Sequence, residues 1–417
     1  MNIVLLHYSA PPVIGGVESV LAQHARLMSA AGHSVRIVAA RGDTRNAAIE
    51  FVRVPLADSL DPEILAAKKE LDAGRIPPSF ASLGNRLDGL LRPAVSAADV
   101  LIAHNVCSLN LNLVLTDALY RLYREPDFPR LVLWHHDLAW ATPRYLPELH
   151  AGKPWDLLRD EWPGAVHVAV SDLRKRELSS LAGIPQDRVH VVPNGIQAEE
   201  FLRLEKMTSE IVHRLDLLRA APLLLLPVRI TPRKNLELAI RTLAPLREVF
   251  PGAVMVVTGP LGPHNPDNRN YLKDLQALRR TLDLESAFHF LAELEEGELP
   301  DAVISDFYRL CDALFLPSRE EGFGIPILEA GISRRPVFCS DLPTLRELGD
   351  GSAVFFSPDD DPKYVSALIA GRLRDDPAFR LAQTVRDGFQ WNRIYAEKIE
   401  PLLDEAAGRA ARSVGES

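Results

Sequence analysis

The feature that most limits the fold of this chain is a regular alternation of short aliphatic runs with longer stretches of helical periodicity. The short runs are rich in Val, Ile and Leu, and most of them are followed by an amphipathic stretch. This order is typical of βαβ units, in which helices cover the faces of a parallel sheet. The sequence therefore predicts the α/β class.

The alternation occurs in two series, so we expect two Rossmann-like domains. A length of 417 residues agrees with this, since domains average about 150 residues. Strands are expected at 2–7, 34–39, 51–54, 100–103, 131–134, 166–170 and 189–192, and then at 223–228, 253–258, 288–291, 313–316, 336–339 and 353–356. Helices are expected at 17–31, 110–121, 171–181, 236–249, 271–282, 301–310, 325–333 and 362–373.

The two series are separated by a segment that breaks both patterns. Pro193, Asn194 and Gly195 mark a turn, and we place the hinge between them and about Pro222. A helical pattern also continues past Asp376, further than the second sheet needs. The predicted domains are therefore 1–195 and 196–380, with a C-terminal helix over 381–417 that packs back on the first domain.

Composition excludes several classes of protein. Lys and Arg number 47 and Asp and Glu 56, and the resulting charge of -9 argues against a nucleic-acid partner. No apolar run approaches the roughly 20 residues of a spanning helix, and the first residues resemble a strand rather than a signal peptide. We expect a cytoplasmic protein, with peripheral association at the inner face of the membrane left open.

The three cysteines, Cys107, Cys311 and Cys339, are far apart and lack the spacing of metal ligands. We expect them to be free thiols that pack as small apolar side chains in the core, in a protein of a reducing compartment. No metal site is predicted.

Three motifs follow strands and open helices. The first is Gly15-Gly16, where adjacent glycines let the backbone approach an anion at a helix N-terminus. It is not the GxGxxG dinucleotide pattern, and a plain tight turn is the alternative.

The second motif places Arg229, Arg233 and Lys234 after the first strand of the second series. Cations at the carboxyl end of a parallel strand lie where open α/β sheets bind ligands. Arg229 can hold a phosphate through two hydrogen bonds, and Lys234 adds a point charge. The alternative is a set of solvated surface charges, above all for Arg233.

The third motif, which runs from Ser318 to Ala330, is the most specific, and its central segment begins at Glu321. Two glycines flank Phe323, so several N–H groups can converge on a ligand at a positive helix end. Glu329 lies on the following helix. The carboxylates of Glu321 and Glu329 are therefore expected along one groove, where each can accept hydrogen bonds from hydroxyl groups of a ligand. The segment reads Glu321-Gly322-Phe323-Gly324-Ile325-Pro326-Ile327-Leu328-Glu329.

Over nearly its full length the chain resembles the GT-B glycosyltransferases of family 4, which use nucleotide-activated sugars and retain the anomeric configuration. The resemblance implies two Rossmann-like domains that face a cleft, with the acceptor on the N-terminal domain and the donor on the C-terminal domain. It is carried, in the expected order, by Gly15-Gly16, Val170-Ser171, Val192-Pro193-Asn194-Gly195, Arg229, Lys234-Asn235, Gly259 and the pair Glu321 and Glu329.

The resemblance also implies roles for these residues. Arg229 and Lys234 hold the diphosphate, Glu321 contacts hydroxyls of the donor sugar, and Glu329 contacts the ribose. The remaining donor contacts come from backbone groups of Gly15, Gly16, Gly322, Phe323, Gly324 and Ile325.

In this family a histidine at a strand end often lies beside the transferred sugar. Here His135 and His136 are adjacent, followed by Asp137; we favour His136, and the choice between the two histidines stays open. The alternative is a structural histidine that caps the strand. The loop beyond them contains Trp140, Tyr145 and Trp155, which can stack on a sugar ring or pack in the core.

The reaction implied is the transfer of a hexose from GDP-mannose or UDP-glucose to a hydroxyl of a sugar, a small polyol or a lipid-linked glycan. With two cations available, no metal cofactor is required. Two alternatives are a GT-B sugar-nucleotide epimerase, which would need acid and base groups around the sugar ring, and a non-catalytic sugar-binding protein.

Overall fold

The computed structural model describes residues 1–44, 46–262, 267–295 and 297–408. The chain divides into two compact units. The first contains residues 1–195 together with the C-terminal segment from Trp391, and the second contains 196–390. Within the described ranges, no helix is both long and apolar enough to cross a membrane.

The first unit is built on a seven-stranded parallel sheet in the order β3-β2-β1-β4-β5-β6-β7. Register is set by pairs such as Leu5 with Ile37 on one side of β1 and Leu5 with Ile102 on the other. The strands are β1 (Asn2–Leu6), β2 (Ser34–Ala39), β3 (Ile49–Arg53), β4 (Val100–His104), β5 (Arg130–His135), β6 (Val166–Ala169) and β7 (Val189–Val191).

Helices cover both faces of this sheet, because its central strands are apolar on both sides. All five residues of β4 are buried, for example. The helices of the first unit are α1 (Gly16–Ala30), α2 (Pro62–Asp72), α3 (Phe80–Val95), α4 (Leu113–Tyr123) and α5 (Asp172–Ala182).

The second unit has a six-stranded parallel sheet in the order β10-β9-β8-β11-β12-β13, with one continuous apolar core. Its strands are β8 (Leu223–Leu226), β9 (Val254–Val257), β10 (Phe288–Phe290), β11 (Ala313–Leu316), β12 (Val337–Ser340) and β13 (Val354–Phe356). Its helices are α6 (Ala198–Leu202), α7 (Lys206–Arg214), α8 (Leu236–Val249), α9 (Asn268–Thr281), α10 (Asp301–Leu310), α11 (Ile325–Ile332), α12 (Pro343–Gly349), α13 (Pro362–Arg374) and α14 (Pro377–Gly388).

The C-terminal segment belongs to the first unit. It comprises α15 (Trp391–Ile394), a π-helical turn (Tyr395–Ile399) and α16 (Glu400–Ala406). Trp391 and Leu403 are buried in the same apolar cluster as Trp134 of β5. The sequence prediction started this segment at 381, but α14 stays with the second unit, because Arg386 on α14 donates to the Asp312 carboxylate at 2.6 Å.

Every expected strand is present, with ends shifted by at most two residues. The expected helices are also present, but α2, α3, α6, α7 and α12 were not predicted. In α3 the local signal is weak, because Gly84, Gly89 and Pro93 lie inside the helix. The helix forms nevertheless, because Leu87 and Leu91 are fully buried.

Candidate functional site

The candidate donor residues lie at the point where the strand order of the second sheet reverses, between β8 and β11. In open α/β sheets this switch point forms a crevice at the carboxyl ends of the strands, where ligands bind. Lys234 follows β8 and Glu321 follows β11. The two loops are joined by a backbone hydrogen bond in which Arg319 N donates to Arg233 O at 2.8 Å.

Lys234 and Glu321 form a buried ion pair. Lys234 Nζ lies 2.6 Å from Glu321 Oε1, and their side chains are only 9% and 8% exposed. The same carboxylate oxygen accepts a hydrogen bond from Ser318 Oγ at 2.7 Å. Charges this deeply buried are costly unless they are paired, so the pair fixes both side chains in one position. Arg233, between Arg229 and Lys234 in the motif, is exposed.

Arg229 holds a different carboxylate. Its side chain is half-exposed, and Nη2 donates to Glu298 Oε1 at 3.1 Å. Glu298 precedes α10 and is more exposed still. Such surface pairs contribute little to stability, so an anionic ligand can replace Glu298 at small cost. Arg229 is therefore at the same sheet edge as Lys234 but outside its ion pair.

The start of α11 supplies backbone donors. Gly324 has φ +104°, a region that disfavours side chains, and an added Cβ would lie 2.6 Å from Leu345 Cδ2. Among the described residues, no side chain caps the first turn of α11, while Phe323 and Ile325 on either side of Gly324 are exposed. The N–H groups of this turn are thus available to an acceptor of hydrogen bonds.

Glu329, on α11, is held by a tyrosine. Tyr308 OH donates to Glu329 Oε2 at 2.6 Å. Burial, followed by the hydrogen bond to this carboxylate, raises the pKa of Tyr308 well above its usual range, so the phenol remains a donor. Glu329 thereby keeps one fixed orientation.

The first sheet reverses between β1 and β4, and a second group of polar residues lies there. His7 Nδ1 donates to the backbone oxygen of His104 across this switch point at 2.8 Å. Asn105 Oδ1 accepts from the backbone N–H groups of His136 and Asp137 at 2.8 and 3.1 Å. The loops after three neighbouring strands are therefore bound together.

The two adjacent histidines have different partners. His135 Nε2 lies 3.2 Å from His167 Nδ1, whereas His136 Nε2 lies 3.1 Å from His104 Nδ1. Burial, followed by repulsion between the protonated forms of His7 and His136, lowers the pKa of His136 to about 3, so this ring is neutral at physiological pH. His136 therefore belongs to the group at the switch point, and His135 belongs to a separate pair.

Gly15 and Gly16 occupy the start of α1. Gly15 is the N-cap with extended backbone, and Gly16 faces open space. The carboxylate of Glu18 lies against Gly15 and accepts from Ser9 Oγ at 2.7 Å. An anion at this helix end would meet the Glu18 carboxylate, which also lies 3.9 Å from His7 Nε2.

Several contacts were missed by the sequence prediction. Ser318, Tyr308 and His104 each fix a predicted residue, and His104 could have been found because it ends a strand. Of the aromatic residues beyond His136, Trp140 packs under the Arg159 guanidinium at 4.0 Å and Tyr145 under that of Arg144 at 4.6 Å, whereas Trp155 is buried in an apolar cluster. Among the residues of the described ranges, no three or more His, Cys, Asp or Glu side chains are grouped to hold a metal ion.

Two family models match the chain, one in each unit. The model described as Glycosyltransferase Family 4 matches residues 14–200, and the model described as Glycosyl transferases group 1 matches residues 215–382. The second match contains the loops after β8 and β11, and the first contains Gly15, Gly16 and His136.

Individual proteins show the same likeness. The chain is 31% identical over 269 residues to a D-inositol 3-phosphate glycosyltransferase of Kineococcus radiotolerans, with 58% of this chain and 59% of that protein covered. It thus spans about three fifths of the length of this relative. It is 25% identical over 368 residues to the mannosylglucosylglycerate synthase of Thermotoga maritima, covering 81% and 80%. The solved structure of WaaG, a glycosyltransferase involved in lipopolysaccharide biosynthesis, aligns with 97% of this chain and 100% of its own at 17% identity and a TM-score of 0.37.

Proposed function

Because the chain belongs to the glycosyltransferases that these two family models describe, we propose that it is a retaining hexosyltransferase. The donor is a nucleotide diphosphate sugar of the GDP-mannose or UDP-glucose type, and the acceptor is a hydroxyl group. The observation that carries this proposal is the buried pair of Lys234 with Glu321 at the switch point of the second sheet.

In this reaction the bond between the anomeric carbon and the diphosphate oxygen breaks, and its electron pair leaves with the diphosphate. The acceptor oxygen bonds to the anomeric carbon, and its proton passes to the leaving phosphate. Negative charge therefore grows on the diphosphate, where fixed cations and N–H donors lower the barrier most. We assign this role to Lys234, Arg229 and the N–H groups of Gly322 to Ile325. Two cations are sufficient, so no metal is required.

The other residues orient the substrates. Lys234 and Ser318 hold Glu321, which accepts hydrogen bonds from hydroxyls of the donor sugar. Tyr308 holds Glu329, which accepts hydrogen bonds from the ribose of the nucleotide. We assign to His136 a hydrogen bond to a hydroxyl of the substrate. Gly15 and Gly16 offer the backbone of α1 to an anion. A cytoplasmic location stays a prediction.

The first test is a comparison of donors. A nucleotide sugar that binds only the folded protein should stabilise it by about 2.7 kcal/mol at a hundred times its Kd. We expect UDP-glucose or GDP-mannose to raise the melting temperature and the matching free sugar not to do so. With an acceptor present, NMR should show a product whose anomeric configuration equals that of the donor, at a rate unchanged by EDTA.

The same experiment separates the competing functions. Formation of an epimer from the donor alone would support the epimerase, which the family matches do not favour. Binding without turnover on any acceptor would support a sugar-binding protein. If neither donor raises the melting temperature and no sugar is transferred, the proposal is wrong.

The acceptor, we propose, is a small polyol or sugar that carries a negative charge. One relative is named for inositol 3-phosphate and another for a glycoside of glycerate, and both names contain an anionic group. In this chain Arg144 lies in the loop after β5, exposed, with Nη2 donating to Tyr145 OH at 2.7 Å. Within the described part of the chain, no carboxylate pairs with Arg144. Its charge is therefore free for an anionic acceptor.

We expect Arg144→Gln to raise the KM for an anionic acceptor about tenfold, the scale of one charge-assisted hydrogen bond. The KM for the donor should not change. The control is Arg159→Gln in the same loop, whose guanidinium is already bound to Asp156. Equal effects of both substitutions, measured by initial rates, would contradict the assignment.

A further inference from the structure

Four histidines meet at the switch point of the first sheet: His7, His24, His104 and His136. The His24 ring lies 5.3 Å from that of His104, and the His136 ring lies 5.4 Å from it on another side. All four are buried, and burial lowers the pKa of each. The cluster is therefore uncharged at neutral pH. Hydrogen bonds decide which nitrogen carries the proton in His7, His104 and His136, whereas neither ring nitrogen of His24 has a partner among the described residues.

One contact has a fixed direction. His7 Nδ1 lies 2.8 Å from the backbone oxygen of His104, and a carbonyl oxygen can only accept. His7 therefore carries its proton on Nδ1. The same reasoning does not settle the contact between His104 Nδ1 and His136 Nε2, since either nitrogen can donate.

The surroundings of His104 decide this direction. Its other nitrogen, Nε2, is enclosed and has no hydrogen-bond partner among the residues that the structure describes. If His136 were the donor, a neutral His104 would carry its proton on Nε2 as a buried, unpaired N–H. Such orphaned N–H groups are rarer and more costly than an unpaired acceptor. The favoured arrangement is donation from His104 Nδ1 to His136 Nε2.

We propose that His104 is a positioning residue that sets the tautomer of His136. With Nε2 accepting from His104, the proton of neutral His136 lies on Nδ1. That nitrogen has no partner among the described residues and is not enclosed, and the residue keeps 8% exposure. His136 thus presents an N–H donor to a substrate hydroxyl rather than a lone pair that could act as a base. The inference rests on the proposed function, which places His136 at the substrate.

The chain contains a matched control. His167 contacts the neighbouring His135 through its Nδ1 at 3.2 Å, and its Nε2 is likewise enclosed without a partner among the described residues. His104 and His167 are thus equivalent in burial and in contact, but only His104 holds the histidine assigned to the substrate. Substitution of each by leucine removes the same kind of partner.

The decisive measurement is the tautomer of His136, read from ¹⁵N shifts and long-range ¹⁵N–¹H couplings of the substrate-free protein. We expect the Nδ1–H form in the wild type and loss of that preference in His104→Leu, with His136 unchanged in His167→Leu. A wild-type His136 protonated on Nε2 would overturn the inference. Because no sugar is transferred in this measurement, its outcome is independent of whether the proposed function holds.

Kinetics give the second readout. We expect His104→Leu to lower kcat/KM about tenfold, the scale of a lost hydrogen bond, and His167→Leu to leave it within about twofold. His104→Asn places an amide N–H near the position of Nδ1 and should restore most of the loss. A folded His104→Leu variant of normal activity, or an Asn variant as impaired as the Leu variant, would refute a positioning role.

Discussion

Replacing Lys234 with alanine is expected to reduce the rate of transfer at least about a hundredfold, the scale of losing a key electrostatic donor. The substitution removes one cation from the leaving diphosphate and also frees the Glu321 carboxylate that Lys234 holds at 2.6 Å. Glu321→Ala should have an effect of the same size. Both rates are measured under donor saturation, below the melting temperature of each variant.

Loss of either member of the buried Lys234–Glu321 pair also lowers the stability of the fold, so the measured rates need control variants. An unpaired buried charge commonly costs about 3–5 kcal/mol, and Lys234→Ala should melt at a lower temperature than the wild type. Glu321→Gln keeps the shape of the side chain and separates the loss of charge from the loss of packing. Arg233→Ala and Glu320→Gln are the matched controls, because both residues are exposed neighbours of the pair. Near-normal rates in folded Lys234→Ala or Glu321→Gln would refute the proposed site.

Gly259→Ala is expected to have the second large effect, this time through the backbone. Gly259 follows β9, and a Cβ there would overlap the carbonyl oxygen of Val228 and lie 2.6 Å from Arg229 N. These are backbone atoms, so no rotamer change can relieve the clash. The loop after β9 would have to move away from the loop that carries Arg229, although Ile230 N donates to Pro260 O between them at 2.9 Å.

We expect this variant to lose about 1–3 kcal/mol in the free energy of unfolding, the usual cost of overpacking, and to bind the donor more weakly. Denaturant unfolding and donor titration measure the two effects. Gly371→Ala is the control, since Gly371 lies in α13 and no atom of the described residues comes within 4 Å of a Cβ added there. There alanine should stabilise the helix by up to about 1 kcal/mol. Equal stability of Gly259→Ala and the wild type would show that the two loops do not pack as described.

The strands were predictable because β-branched and aliphatic runs are local features. The same holds for the third motif, since Gly324 has the positive φ that its position at the helix start requires. The missed helices had weaker local signals, as α3 shows with two glycines and a proline in its interior. Their formation depends on burial against residues distant in the chain.

The sequence by itself determined the α/β class, the strand ends that carry polar residues, and the identity of the candidate residues, because each depends on neighbours within a few positions. Only the tertiary structure decided which of them meet. Lys234 and Glu321 are 87 positions apart, and they meet because β8 and β11, which are not consecutive in the chain, are neighbours in the second sheet. His104 and His136 are 32 positions apart, and they meet because the ends of the neighbouring strands β4 and β5 converge. Strand order is set by the burial of whole faces, a property of the entire unit that no short segment contains.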